Sequence, residues 1–89
     1  MFLSWRSGTD MGKLYQIGNA IVRVYANDHL PPHFHIVSPD DQALVEIETL
    51  KILKGTLGTN GKAALMWASE NIATIKAEWN RVNQRFPIA

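Results

Sequence analysis

The spacing of apolar and polar residues changes character along the chain, and those changes mark its elements. Ile21-Val22-Arg23-Val24-Tyr25 is rich in β-branched and aromatic residues and lies between Gly18-Asn19 and Asn27-Asp28, a strand bounded by turns. Phe34-His35-Ile36-Val37 follows Pro31-Pro32 and stops at Ser38-Pro39-Asp40-Asp41, where Pro39 presets the backbone of a turn. Ala43-Leu44-Val45-Glu46-Ile47-Glu48 alternates with period two, the mark of a half-buried strand. A weaker strand, Ile52-Leu53-Lys54, ends at Gly55. The connections are too short for crossover helices, so these pieces predict an antiparallel meander.

Beyond Gly58-Thr59-Asn60-Gly61 the period becomes helical. Leu65, Ala68, Ile72, Ile75, Trp79 and Val82 recur at spacings of three and four and form one apolar stripe. The pattern predicts a single helix of about 20 residues that starts near Lys62, is capped by Thr59 or Asn60, and covers one face of the sheet. Trp67 falls off the stripe and reads as a partly buried edge residue. The expected fold is α+β: three or four antiparallel strands with one long C-terminal helix packed on one face.

Composition narrows what such a fold can do. With 89 residues the chain supports one core, placed at residues 13–86. Residues 1–12 read as a disordered tail, because Arg6-Ser7-Gly8-Thr9-Asp10 are turn formers and unanchored termini are commonly loose. Zero cysteines exclude a disulfide scaffold, a thiolate zinc site and a cysteine nucleophile. No apolar run reaches the roughly 20 residues that span a bilayer, which leaves a soluble, cytoplasmic domain as the expectation. A net charge of +1 lacks the basic excess of a bulk nucleic-acid binder.

Candidate chemistry is confined to Asn27-Asp28-His29-Leu30-Pro31-Pro32-His33-Phe34-His35, which holds all three histidines of the chain. Histidine is the common metal ligand and titrates near neutrality. His33 and His35 are two apart, so on a strand they share a face. An even loop before the next strand joins Phe34 and Ile36 to Ala43, Val45 and Ile47, and sets His33 and His35 on the face of Glu46 and Glu48.

Three readings fit that face. His29, His33 and His35 could hold zinc, manganese or iron. His33 and His35, helped by His29 and Glu46, could run acid–base chemistry such as cleavage of a ribose phosphate ester. The third is a solvated face whose His–Glu pairs add a few tenths of a kcal/mol each, on the order of other cross-strand pairs. Asp28, Arg23 and Glu48 are candidate ligand contacts, although Asp28 sits where aspartate commonly holds a turn. Arg23 could instead pair with Glu46 or Glu48. An unpaired sheet edge makes a homodimer an expectation as well.

Tyr25-Ala26-Asn27-Asp28-His29-Leu30-Pro31-Pro32-His33-Phe34-His35 resembles the signature of the bacterial domain-of-unknown-function 4160 (DUF4160) family. Val45-Glu46-Ile47-Glu48, Leu53-Lys54-Gly55 and the helix with Trp67 and Trp79 follow in matching order, so the resemblance spans about Lys13 to Arg85. Thr49-Leu50-Lys51 departs from the glycine-containing turn of the pattern. The resemblance implies an accessory component of a toxin–antitoxin-like module that acts through protein or nucleic-acid binding. Its implied partners are a small protein encoded in the same operon and RNA or DNA. The alternative is a histidine-dependent RNase or hydrolase, or a divalent-metal-binding protein.

Overall fold

A computed structural model describes residues 12–88. Five strands form one antiparallel sheet in the order of the chain: β1 (Lys13–Ile17), β2 (Ala20–Arg23), β3 (His33–Val37), β4 (Gln42–Glu46) and β5 (Ile52–Gly55). Two helices follow, α1 (Thr59–Glu70) and α2 (Ile72–Val82). The fold class is α+β as the sequence predicts, with one more strand and one more helix than expected.

The extra strand is β1. Its pairing with β2 runs Lys13 to Arg23 and then Tyr15 to Val22, so Leu14 is an additional residue on the β1 side. Such a bulge breaks period two and hides the strand from a search for alternation. The expected tail, residues 1–12, lies outside the described residues except for Gly12. That glycine, at φ 82°, accepts the Val24 N–H at 2.9 Å.

The expected single helix divides at Asn71, whose backbone leaves the helical region at φ −132° and ψ 33°. The Asn71 side chain donates to the Trp67 carbonyl at 2.8 Å, the group its own N–H would take in an unbroken helix. That N–H bonds Ala68 O instead. A side-chain amide competing with the backbone in this way ends one helix and starts the next. Neither Thr59 nor Asn60 caps α1: Gly58 holds the cap position, and Asn60 donates to Asn19 Oδ1 at 3.2 Å.

Register decides what each face of the sheet carries. Four residues connect β3 to β4, and Phe34 meets Val45 while Ile36 meets Ala43. These join Val22, and the helices supply Ala64, Ala68, Ile75 and Trp79 above them. Phe34 and Trp79 are fully buried, and each contributes on the order of 3 kcal/mol of apolar transfer. Tyr15 stacks on Trp67 with ring centroids 4.4 Å apart, which places Trp67 at the edge of the core, partly buried. Beyond α2 the chain returns to the helix. Trp79 Nε1–H donates to Phe86 O at 2.7 Å, and Asn80 exchanges hydrogen bonds with the Ile88 backbone.

The opposite face carries His33 against Glu46 and His35 against Leu44. The turn to β5 contains Leu50 at φ 63°, a left-handed position of the kind glycine favours. Leu50 thus holds a left-handed backbone position in the turn where the sequence pattern expects a glycine.

Candidate metal centre

The loop from Val24 to Pro32 folds back over the histidine face and brings Asp28 onto β3. The face is therefore closed at the histidines, not open as the strand pattern suggests: His33 is 1% and His35 8% exposed. Asp28 Oδ2 lies 3.0 Å from His33 Nε2 and 3.1 Å from His35 Nε2. Its other oxygen lies 3.0 Å from His29 Nδ1 and accepts the His29 backbone N–H at 2.9 Å. Asp28, read from sequence as a turn former, is the centre of the cluster.

The backbone of Asp28 is fixed from the far end of the chain. Its N–H donates to Asn83 Oδ1 at 2.7 Å, and Asn83 Nδ2 donates to Tyr25 O at 2.9 Å. Asn83, just past the end of α2, is 3% exposed. A cavity of about 40 Å³ lined by Asn27, Asp28, Asn83, Arg85 and Phe86 adjoins this clamp. Sequence reasoning passes over Asn83. Its one local signal is a polar residue following a helix, where many side chains are solvated.

The histidine rings are set by equally specific contacts. His33 Nδ1 lies 2.7 Å from Pro31 O. A carbonyl only accepts, so Nδ1 carries a proton, and in the neutral ring Nε2 is a lone pair. That Nε2 is buried and has no hydrogen-bond partner, although Asp28 Oδ2 is 3.0 Å away. The ring nitrogen thus lies beside the carboxylate without a hydrogen bond aligned between them. His35 Nε2 hydrogen-bonds the same Asp28 oxygen, leaving its Nδ1 buried and unpartnered. The Tyr25 ring stands edge-on to His35 at 4.6 Å, and Trp79 lies 5.9 Å from His33.

Charge and burial act in opposition here. Burial works against the ionised Asp28 carboxylate, but the His35 hydrogen bond, the His29 backbone N–H and the charges of His33 and His35 together hold its pKa below the ordinary value. Burial pushes the His35 imidazole below its ordinary pKa, and the bond to Asp28 only partly opposes this. The resulting pair is an ionised carboxylate beside a neutral imidazole, the protonation states in which both groups ligate metals.

The donor atoms of Asp28, His33 and His35 all lie within 4.8 Å of one another. Ligands at about 2.0–2.2 Å from a common ion have separations of this size. Two imidazoles with one carboxylate suit zinc, manganese or iron. The Pro31 carbonyl on His33 Nδ1 is the usual outer contact that fixes a ligating ring.

The remaining sequence candidates lie around this centre. His29 is mostly exposed, with its ring 5.0 Å from that of His33, and stands outside the three-residue donor set. Glu46 pairs with His33 across the ladder, but its carboxylate accepts the Thr49 hydroxyl at 2.7 Å. Glu48 is exposed in the turn after β4. Arg23 pairs with His35 across the β2–β3 ladder. A groove of about 300 Å³ lined by His29, Gln42, Leu44, Lys54 and Gly55 opens beside the cluster.

A five-stranded antiparallel meander backed by two helices, with an aspartate and two histidines converging under one loop, defines a small α+β domain with a metal-type donor set. Residues 20–80 match the family described as Domain of unknown function (DUF4160), and the chain belongs to that family. No curated protein and no solved structure matches the chain. Among the described residues, no helix is long and apolar enough to cross a membrane.

Proposed function

We propose that this protein binds a divalent metal ion through Asp28, His33 and His35. The observation that carries the reading is the convergence of His33 Nε2, buried and without a hydrogen-bond partner, and His35 Nε2 on one Asp28 oxygen at 3.0 and 3.1 Å. A cation seated among them would engage all three donors at once. His35 would ligate through Nε2 after its proton leaves or moves to Nδ1, so binding is pH-dependent.

The test is metal uptake by untagged protein incubated with zinc, manganese or iron(II), followed by elemental analysis. One ion per chain is expected, and none in the His33→Ala/His35→Ala variant that retains its circular dichroism spectrum. Protein that takes up no ion, or a double variant that still binds one, overturns the reading.

A second reading, association with a small protein encoded beside this one in a toxin–antitoxin-like module, has one observation in its support. β5 is an outer strand, and its Ile52 and Leu53 are each 41% exposed. Among the described residues its outer edge has no strand partner, and apolar edges of this kind invite strand addition. Co-expression with the neighbouring gene product should yield a complex that Leu53→Lys weakens; two proteins that purify separately count against it.

A further inference from the structure

The helix-facing side of the sheet is open at one edge. α1 packs against β1, β2 and β3. Ile52 pairs with Val45 and so points to the helix side, yet it is 41% exposed where Val45 is fully buried. Leu50, Lys62, Leu65, Met66 and Ser69 line a groove of about 290 Å³ between α1 and the β4–β5 turn. Lys62 and Met66 are four apart on the helix, as are Leu65 and Ser69, so they present one side of α1. Trp67 leaves by the other side, stacked on Tyr15 of β1. Met66 is 65% exposed, the most open large apolar side chain among the described residues.

Topology brings the start of the chain to this edge. Each neighbouring pair of strands is antiparallel, so β1, β3 and β5 run the same way and begin at the same end of the sheet. The residues before β1 therefore leave the sheet at the end where the β4–β5 turn carries Leu50. They include Phe2, Leu3 and Trp5, joined towards β1 by Arg6-Ser7-Gly8-Thr9-Asp10, which holds no large apolar side chain. β1 and β5 are four strand spacings apart, about 19 Å. The chain from Gly12 back to Leu3 reaches roughly 31 Å when extended, enough to round the end of the sheet and enter the groove.

We infer that Phe2-Leu3-Ser4-Trp5, which lies outside the described residues, docks in the groove between α1 and the β4–β5 turn of its own chain. An exposed apolar patch of this kind marks a docking surface. Its walls are leucine and methionine side chains, and the unbranched Met66 thioether adapts to an aromatic ring such as that of Phe2 or Trp5. Seated there, the segment covers Met66 and the open side of Ile52, and Arg6 to Asp10 serve as its polar connection. The same segment from a second copy would meet the same walls. The shared end of the sheet and the short tether favour the chain's own segment, because a tethered group is present at high effective concentration. The assignment goes beyond both readings of function and needs neither a metal nor a partner.

The chain has no cysteine, so an introduced pair reports contact without background. Leu3→Cys/Met66→Cys in the full chain, exposed to a mild thiol oxidant, should close an intramolecular disulfide at least tenfold faster than Leu3→Cys/Gln16→Cys. Gln16 is exposed on β1 and far nearer to Leu3 along the chain, so an undocked segment would favour it. Trp5→Ser added to the first pair should slow closure at least threefold, since it removes an apolar anchor. Each variant is first checked for the parent circular dichroism spectrum. A chain lacking residues 1–8 should also show a lower urea midpoint. The inference is overturned by equal or faster closure to position 16, by a covalent dimer as the main product at position 66, by a rate indifferent to Trp5→Ser, or by an unchanged midpoint on truncation. None of these outcomes bears on metal uptake, so the two readings stand or fall separately.

Discussion

Asp28 and Asn83 meet across 55 residues of chain, with the Asp28 amide donating to the Asn83 side-chain carbonyl at 2.7 Å. Asn83 also donates to Tyr25 O, so a single buried amide clamps both ends of the segment that carries the carboxylate. Asn83→Ala removes an acceptor and a donor from a nearly sealed position. It should destabilise the protein by about 2–3 kcal/mol and weaken metal binding at least tenfold. Asn83→Asp keeps the acceptor for Asp28 but loses the donor to Tyr25, and should retain more metal affinity than alanine. Urea unfolding and metal titration of both variants check this; equal affinities in the two would dissociate the clamp from the site.

Acid should unfold the metal-free protein in two stages. His35 has its pKa depressed below the ordinary 6.5, so below that pH the unfolded chain binds more protons and stability falls. Asp28 is held below its ordinary 3.8, which adds a second loss when pH falls through the carboxylate range. Both contributions are fully present at pH 7.5. The urea midpoint should be level above about pH 7, decline below about 6.5 and steepen below about 4. A midpoint unchanged between pH 7 and 5 would contradict the His35 assignment.

Gly55→Ala tests the end of β5, where Leu44 pairs with Lys54 and Val45 with Ile52, so that Leu53 is an additional residue. The glycine is at φ 88°, and an added Cβ meets the Gln42 carbonyl and Ala43 Cα. The substitution should cost about 1–3 kcal/mol through backbone strain. Thermal unfolding reads the cost, and a melting temperature unchanged from the parent protein would contradict it.

Trp79→Phe preserves a ring in the core but removes the Nε1–H that Phe86 O accepts. The smaller ring and the lost bond should together destabilise by about 2 kcal/mol. A change below about 0.5 kcal/mol in chemical denaturation would mean the site repacks freely, against the density usual in protein cores.

Parity carried the sequence reading furthest. The separation of Phe34 and Ile36 from His33 and His35, and the even β3–β4 loop, follow from alternation because one wrong step would bury imidazoles among Ala43 and Val45. β1 was illegible because Leu14 interrupts its alternation, and the break between the helices because the apolar stripe continues through Asn71. The histidines were visible as a cluster, yet their burial was not, since it comes from a loop folding back and not from β3 itself. Asp28 and Asn83 mark the same boundary. Local pattern assigns one to a turn and the other to a helix end, and only the tertiary fold brings them together.

The position of Trp79 has an optical consequence. Its indole lies 5.9 Å from the His33 ring, inside the range over which a charged or metal-bound imidazole alters tryptophan emission. The chain therefore carries a built-in reporter on one wall of the candidate centre. Trp67, stacked on Tyr15 at the far side of the core, serves as a native reference signal.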